Sequence, residues 1–201
     1  MSQKGESNTL RIVGGCWRSR RIRFEDAEGL RPTPDRVRET LFNWLQMEIV
    51  GATCLDAFAG SGALGFEAAS RGAAQVVMLE KNPKQFKRLK ENAEVLQAQE
   101  IEIVLGDALV LLSKKESWWP ENGFEVIFLD PPFHKDFLNA IIKTLLSNQL
   151  LKENAFLYIE TEQAIEALEL PPSLQLHRKT RAGLVNAFLL RVEKAAGSQD
   201  E

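Results

Sequence analysis

Cysteine and histidine are scarce in this chain, two of each in 201 residues. Cys16 and Cys54 form no disulfide framework and no metal-ligand spacing, so they read as reduced thiols. His134 and His177 do not make up a histidine metal site, and no metal is expected. Long apolar runs are missing as well. No 18 consecutive residues are apolar, which argues against a membrane-spanning helix, and the polar start Met1–Glu6 is not a secretory leader. A soluble, cytoplasmic protein without membrane contact is expected. A Gly-Lys-Ser/Thr phosphate loop is absent, which argues against nucleoside triphosphate hydrolysis. There are no internal repeats. What remains, 44% hydrophobic and 26% charged, is the composition of one ordinary globular domain with room for a small appendage.

The net charge of −3 hides an asymmetry. Residues 1–38 carry nine basic and five acidic side chains, a balance of +4, against −7 for the remainder. Arg11, Arg18, Arg20, Arg21 and Arg23 fall within thirteen residues that hold no acid. A basic segment on an acidic body suits a polyanion. Arg18, Arg20, Arg21 and Arg23 are the residues expected on phosphates; a merely solvated arginine-rich hairpin is the competing reading.

Leu10–Val13 and Arg21–Phe24 alternate as short strands around Gly14 and Gly15, which predicts a β-hairpin. The prolines of Arg31-Pro-Thr-Pro34 punctuate a boundary, and a helix is expected from near Pro34 to about Met47. From Thr53 strands and helices alternate. Strands are expected over Thr53–Phe58, Gln75–Leu79, Ile101–Leu105, Val126–Leu129 and Phe156–Thr161, with a helix after each of the first four. Leu174–Thr180 and Leu184–Val192 look like an antiparallel pair joined by Arg181-Ala-Gly183. The expected fold class is α/β: a doubly wound, mostly parallel seven-stranded sheet of Rossmann-like type, with an antiparallel carboxyl-terminal strand pair and a small amino-terminal β-hairpin. The division expected is a disordered start over residues 1–9, a basic hairpin extension over 10–33, a catalytic domain over 34–193 and a disordered tail over 194–201.

Four strand cores end in an acid, at Asp56, Glu80, Asp130 and Glu160, and Asp107 lies just beyond a fifth. In a parallel sheet all carboxyl ends share one edge, where ligands bind. Carboxylates there favour hydroxyl donors or positive charge and disfavour a polyphosphate. The loop Asp56-Ala-Phe-Ala-Gly60-Ser-Gly62-Ala-Leu-Gly65 contains a GxGxxG pattern, and Glu80 follows Gly60 by twenty residues. Alone, that pattern fits a dinucleotide equally. Asp56, however, would repel a pyrophosphate and attract an ammonium or sulfonium group. S-Adenosylmethionine offers those groups, a ribose diol and an adenine amine, and no phosphate. The expected cofactor residues are Asp56, Phe58, Gly60, Ser61 and Gly62 at the glycine loop, where backbone approaches closely, Glu80 on the ribose, and Asp107 with Ala108 near the adenine. The product would be S-adenosylhomocysteine. For Asp107 a helix N-cap is the competing reading; Glu160 has only its position to mark it and reads as a solvated strand-end acid.

Val126–Leu129 is apolar throughout, as in a strand buried on both faces, and Pro131 and Pro132 stop it. Pro131 biases Asp130 towards an extended backbone. The Asp130 carboxylate and the Pro131 carbonyl can then accept hydrogens from an exocyclic amine, while Phe133 offers a stacking face. Asp130, Pro131 and Phe133 are therefore the expected catalytic residues, acting on a nucleobase that leaves its stack. His134 reads as a helix-start residue, and Trp118-Trp119 as an exposed or packing pair.

The Asp56–Gly65 loop, Glu80, Gly106-Asp107 and Asp130-Pro-Pro-Phe133 resemble the successive motifs of class I methyltransferases that act on exocyclic amines. Arg11-Ile-Val-Gly-Gly15, Arg18-Ser-Arg-Arg-Ile22 and the stretch from Arg31 to Asn43 resemble the RsmD type, bacterial guanine-N2 methyltransferases of small-subunit ribosomal RNA. The resemblance covers residues 10–192. It implies methyl transfer from S-adenosylmethionine to N2 of a specific guanine in 16S ribosomal RNA, within the small subunit or an assembly intermediate. It also places the first helix, with Arg36, Arg38 and Asn43, beside the cofactor, though contacts on the helix surface fit those residues equally. A monomer is expected. The nearest alternative is an adenine-amine methyltransferase of DNA or RNA; a nicotinamide-dependent oxidoreductase and a non-catalytic RNA-binding protein are more distant.

Overall fold

The computed structural model describes residues 8–25, 33–131 and 135–193. Phe133, His134, Arg31 and the expected disordered tail lie outside the described residues. Strands β1 (Asn8–Arg11) and β2 (Arg21–Phe24) pair antiparallel, with Leu10 opposite Ile22. Alternation buries Leu10, Ile22 and Phe24 and turns Arg11, Arg21 and Arg23 outward. Helix α1 (Asp35–Trp44) is shorter than expected; turns carry the chain on to Ile49, and Val37, Leu41, Leu45 and Ile49 are buried.

The main sheet has seven strands in the order β5-β4-β3-β6-β7-β9-β8. Strands β3 (Thr53–Asp56), β4 (Gln75–Glu80), β5 (Ile101–Leu105), β6 (Phe124–Leu129) and β7 (Leu151–Thr161) run parallel. Strands β8 (Leu174–Ala182) and β9 (Val185–Val192) form the antiparallel pair, with β9 antiparallel to β7. Among the described residues the remaining α-helices are α2 (Ala63–Ser70), α3 (Pro83–Leu96), α4 (Ala108–Leu112) and α5 (Lys135–Ser147). The hairpin with α1, α2 and α3 covers one face of the sheet, and α4 with α5 covers the other. Within β6 the run Val126–Leu129 is apolar throughout because both of its faces are covered. Val126 and Phe128 enter the first core while Ile127 and Leu129 enter the second.

Several strand boundaries also differ from expectation. Strand β3 ends at Asp56 rather than Phe58, because the chain turns there into the glycine loop, although Ala57 still donates to the Phe128 carbonyl at 3.1 Å. Strand β7 begins at Leu151, five residues early, and an irregular register between Phe124 and Val126 absorbs the extra length. Arg181 and Ala182 belong to β8, so the turn into β9 is Gly183-Leu184. The Trp118-Trp119 pair packs: Trp118 is buried, and the two rings meet edge to face.

Candidate active site

Strand β3 delivers Asp56 to the carboxyl edge, where its side chain is only 2% exposed. Its Oδ2 accepts the Gly65 N–H at 3.0 Å, tying the strand tip to the first turn of α2. Burial pushes Asp56 up to about 7, against the Gly65 and Phe58 N–H groups that hold it down, and Glu80 and Glu160 add repulsion. Gly62 precedes α2 at φ +82°; a Cβ there would stand 2.6 Å from the Phe66 ring and 2.8 Å from Leu89. Only glycine fits. Gly60 and Ser61 complete the turn, with Ser61 buried.

Glu80 accepts the Gly60 N–H at 2.9 Å on one oxygen and the Asn82 N–H at 2.7 Å on the other. The acid expected on a ribose is thus also a brace between two loops, and each oxygen keeps a second lone pair for a ligand. Asp107 caps α4, its Oδ1 accepting from Leu109 and Val110 at 3.0 and 3.4 Å. The N-cap role is therefore real, and Oδ2 is the atom through which Asp107 would meet a ligand. Ala108 is buried beside it, while Leu105 and Val110 leave exposed apolar surface on either side.

On the other side of β3, at the end of β6, stands Asp130, half-buried, followed by a buried Pro131. Leu129 pairs with Ile159, so Asp130 and Glu160 leave adjacent parallel strands side by side, and Asp56 pairs with Phe128 on the other flank. Burial first, then Glu160 and Asp56, raises Asp130 well above the ordinary carboxylate range. Glu160 corrects the expectation of a solvated acid. It is buried, and its Oε1 accepts from the Thr33 hydroxyl at 2.7 Å and the Tyr158 hydroxyl at 2.9 Å. Burial raises its proton affinity in spite of both bonds. The available sequence signal was Tyr158, two residues earlier and so on the same face of the strand.

Other contacts fix the frame. Phe58 meets Phe137 of α5 edge-on at 5.5 Å, joining the loop after β3 to the segment after β6. Gln85, buried in the first turns of α3, accepts the Glu25 N–H at 2.9 Å and donates to the Gly60 carbonyl. Arg38 is an interior strut rather than a helix-surface residue. At 1% exposure it donates to the Thr33 and Arg11 carbonyls and to Asp35, and lies 3.5 Å from Glu67. Glu67, equally buried, takes the Val13 and Gly14 N–H groups, each at 2.8 Å, and Arg71 at 2.7 Å. Charges this deep persist because every one is paired. Arg36 and Asn43 of the same helix are exposed.

The arginine-rich hairpin docks in an unexpected direction. Helices α2 and α3 run from the carboxyl edge back towards the amino edge. Cys16 and Trp17 bond to Ser70 at the end of α2, and Arg20 donates to the Val95 carbonyl near the end of α3. Asn92 pairs with both backbone groups of Arg23. At about 1.5 Å per residue, Val95 lies roughly 15 Å along the helix from Gln85. Arg18, Arg20 and Arg21 are therefore not gathered with the strand tips. A cavity of about 320 Å³ between α5 and Glu169–Pro171 also lies elsewhere, beside Ile142 and Leu146, and contains none of these residues.

The family model described as Conserved hypothetical protein 95 matches residues 10–191, and the ribosomal RNA small subunit methyltransferase D of Escherichia coli is 42% identical over 194 residues, covering 96% of this chain and 95% of its own length. The chain belongs to the RsmD family of methyltransferases. The Haemophilus influenzae protein of the same name is 42% identical over 185 residues, covering 91% of this chain and 92% of its own. A solved Escherichia coli structure superposes with a TM-score of 0.82 at 40% identity, covering 94% of this chain and 100% of the other. The RsmD-type match begins at residue 10, so the amino-terminal hairpin belongs to the family's common body.

Proposed function

We propose that this methyltransferase carries the methyl group of S-adenosylmethionine to the N2 amine of a guanine in 16S ribosomal RNA, within the small subunit or an assembly intermediate. The observation that carries the reading is the adjacency of two tips: Asp130 leaves β6 beside Asp56, whose side chain closes the glycine loop. We also take the protein to be a cytoplasmic monomer that works as the hairpin extension 10–33 set on the domain 34–193.

The residues present fit the cofactor. Gly62 leaves no room for a side chain in the loop, and Asp56, Glu80 and Asp107 put carboxylates at or just past three strand ends. That donor set suits an ammonium group, ribose hydroxyls and an adenine amine, and it opposes a polyphosphate. Asp56, Phe58, Gly60, Ser61 and Gly62 would hold the methionyl part, Glu80 the ribose, and Asp107 with Ala108 the adenine. When bound, the cofactor supplies a methyl group already activated on a sulfonium.

The chain's own contribution is then positioning. The Asp130 carboxylate and the Pro131 carbonyl accept the two hydrogens of the amine, drawing its lone pair out of the ring. An Asp130 of raised proton affinity suits taking up the proton released on transfer. Phe133 stacks on the base. Arg18, Arg20, Arg21 and Arg23 serve RNA that runs along α3, setting register rather than reading bases. Replacing Asp130 with Asn tests the assignment. Affinity for S-adenosylhomocysteine should hold, while turnover falls on the order of 10²–10⁴-fold. Near-normal methylation by D130N would overturn it.

A further inference from the structure

The amino-terminal hairpin leaves Arg20 at the far end of α3, while other cations stand on the carboxyl rim. Strand β9 is antiparallel to β7, and Asn186 sits opposite Thr161. The β8–β9 turn therefore reaches the carboxyl edge, the same rim on which Asp130 and Glu160 stand. Strand β9 lies two strands from β6, or about 10 Å at a spacing of roughly 4.8 Å per strand. Two hydrogen bonds brace the turn and its flank. Gly183 takes φ +61° with open space around it, Arg181 Nε donates to the Gly183 carbonyl at 3.0 Å, and Asn186 clamps the loop after β7 by donating to the Gln163 carbonyl at 2.9 Å.

The chemistry of this turn is unusual for a solvated one. Leu184 at its tip is 72% exposed. Residues 174–192 hold Arg178, Lys179, Arg181 and Arg191 and no acid, within a body whose balance is otherwise acidic. Arg178 stands opposite Leu189 and Lys179 opposite Phe188, so the edge strand β8 carries cations on both faces of the sheet. Across the rim, the Thr33–Glu160 bond seats the start of α1 over the tip of β7, and Arg36 is exposed in its first turn.

We propose that the β8–β9 turn is the RNA clamp beside the active site: Arg181, with Arg36 across the rim, binds phosphates flanking the target guanine, and Leu184 packs against the bases next to the one that leaves the stack. The inference rests on the RNA methyltransferase reading above. An exposed apolar side chain amid cations, on the rim where a nucleobase must enter, matches the wedges that proteins insert at unstacked bases. The amino-terminal arginines then hold a more distant stretch.

The test uses the full-length protein and small ribosomal subunits from cells lacking the modification. R36A/R181A and L184S are compared with wild type for subunit affinity across a salt series, for methyl transfer, and for S-adenosylhomocysteine affinity, which reports an intact core. R36A/R181A should bind subunits about tenfold more weakly at moderate salt, with a log–log salt slope shallower by about two, one for each phosphate that the variant no longer neutralises. L184S should lower methyl transfer several-fold while cofactor affinity stays unchanged. Unchanged subunit affinity, salt slope and turnover in both variants, beside an active wild type, would overturn the clamp and leave the methyltransferase reading standing. A wild type that neither binds nor methylates subunits would overturn that reading, and the clamp with it.

Discussion

Thr33 and Glu160 are 127 positions apart in the chain, yet the Thr33 hydroxyl donates to Glu160 Oε1 at 2.7 Å. The bond draws the segment before α1 across the rim and holds a carboxylate beside Asp130. Replacing Glu160 with Gln keeps an acceptor for Thr33 and Tyr158 but removes the charge that helps raise Asp130. Asp130 should then ionise at lower pH, and the acidic limb of the turnover–pH profile should move to lower pH. An unmoved limb would mean that Glu160 only holds Thr33.

Asp56 sets a pH dependence of stability. Its folded value of about 7 lies above the ordinary 3.8, so between those values the folded chain binds more protons than the unfolded one, and stability falls as pH rises through about 7. Denaturant titrations of wild type and D56N should show the wild type losing stability relative to the variant from about pH 4 to about pH 7. A pH-independent difference would contradict the buried, raised carboxyl.

Gln85 couples the exit of the hairpin to the glycine loop, since Glu25 donates to it and it donates to the Gly60 carbonyl. Gln85→Ala should weaken S-adenosylhomocysteine binding by about tenfold, the equivalent of one hydrogen bond's net contribution. Calorimetry measures this directly, and undiminished affinity would show that the loop holds its shape unaided.

Glu67→Gln would remove one of the two anions beside the interior Arg38, leaving Asp35 as the other. Removing one partner of a buried pair costs on the order of 3 kcal/mol, read as a lower denaturation midpoint, with the amino-terminal segment 11–14 losing hydrogen-exchange protection first. A midpoint shift below about 0.5 kcal/mol would assign the anchoring to Asp35 instead.

How much of this was legible depended on how local each signal is. The apolar run of β6 and its proline stop, Gly62 in its turn and the acids at strand ends are written within a few residues, and the sheet and the tips follow them. Glu160 could not be read that way, because its partner Thr33 lies in another region of the chain. Arg38 and Glu67 look like ordinary helix-surface charges; they are interior only because the backbone of Val13 and Gly14 lands on α2. Charge clustering located the arginines along the sequence but not in space. Ser70 and Asn92, far along the chain, decide that Arg18, Arg20 and Arg21 lie at the distant end of α3.

The placement of Asp130 between the glycine loop and Glu160 predicts one product. Small ribosomal subunits from cells lacking the modification, incubated with the protein and S-adenosylmethionine labelled in its methyl group, should take up label that nucleoside analysis recovers as N2-methylguanosine. Label in methyladenosine, or none transferred to RNA at all, would contradict it.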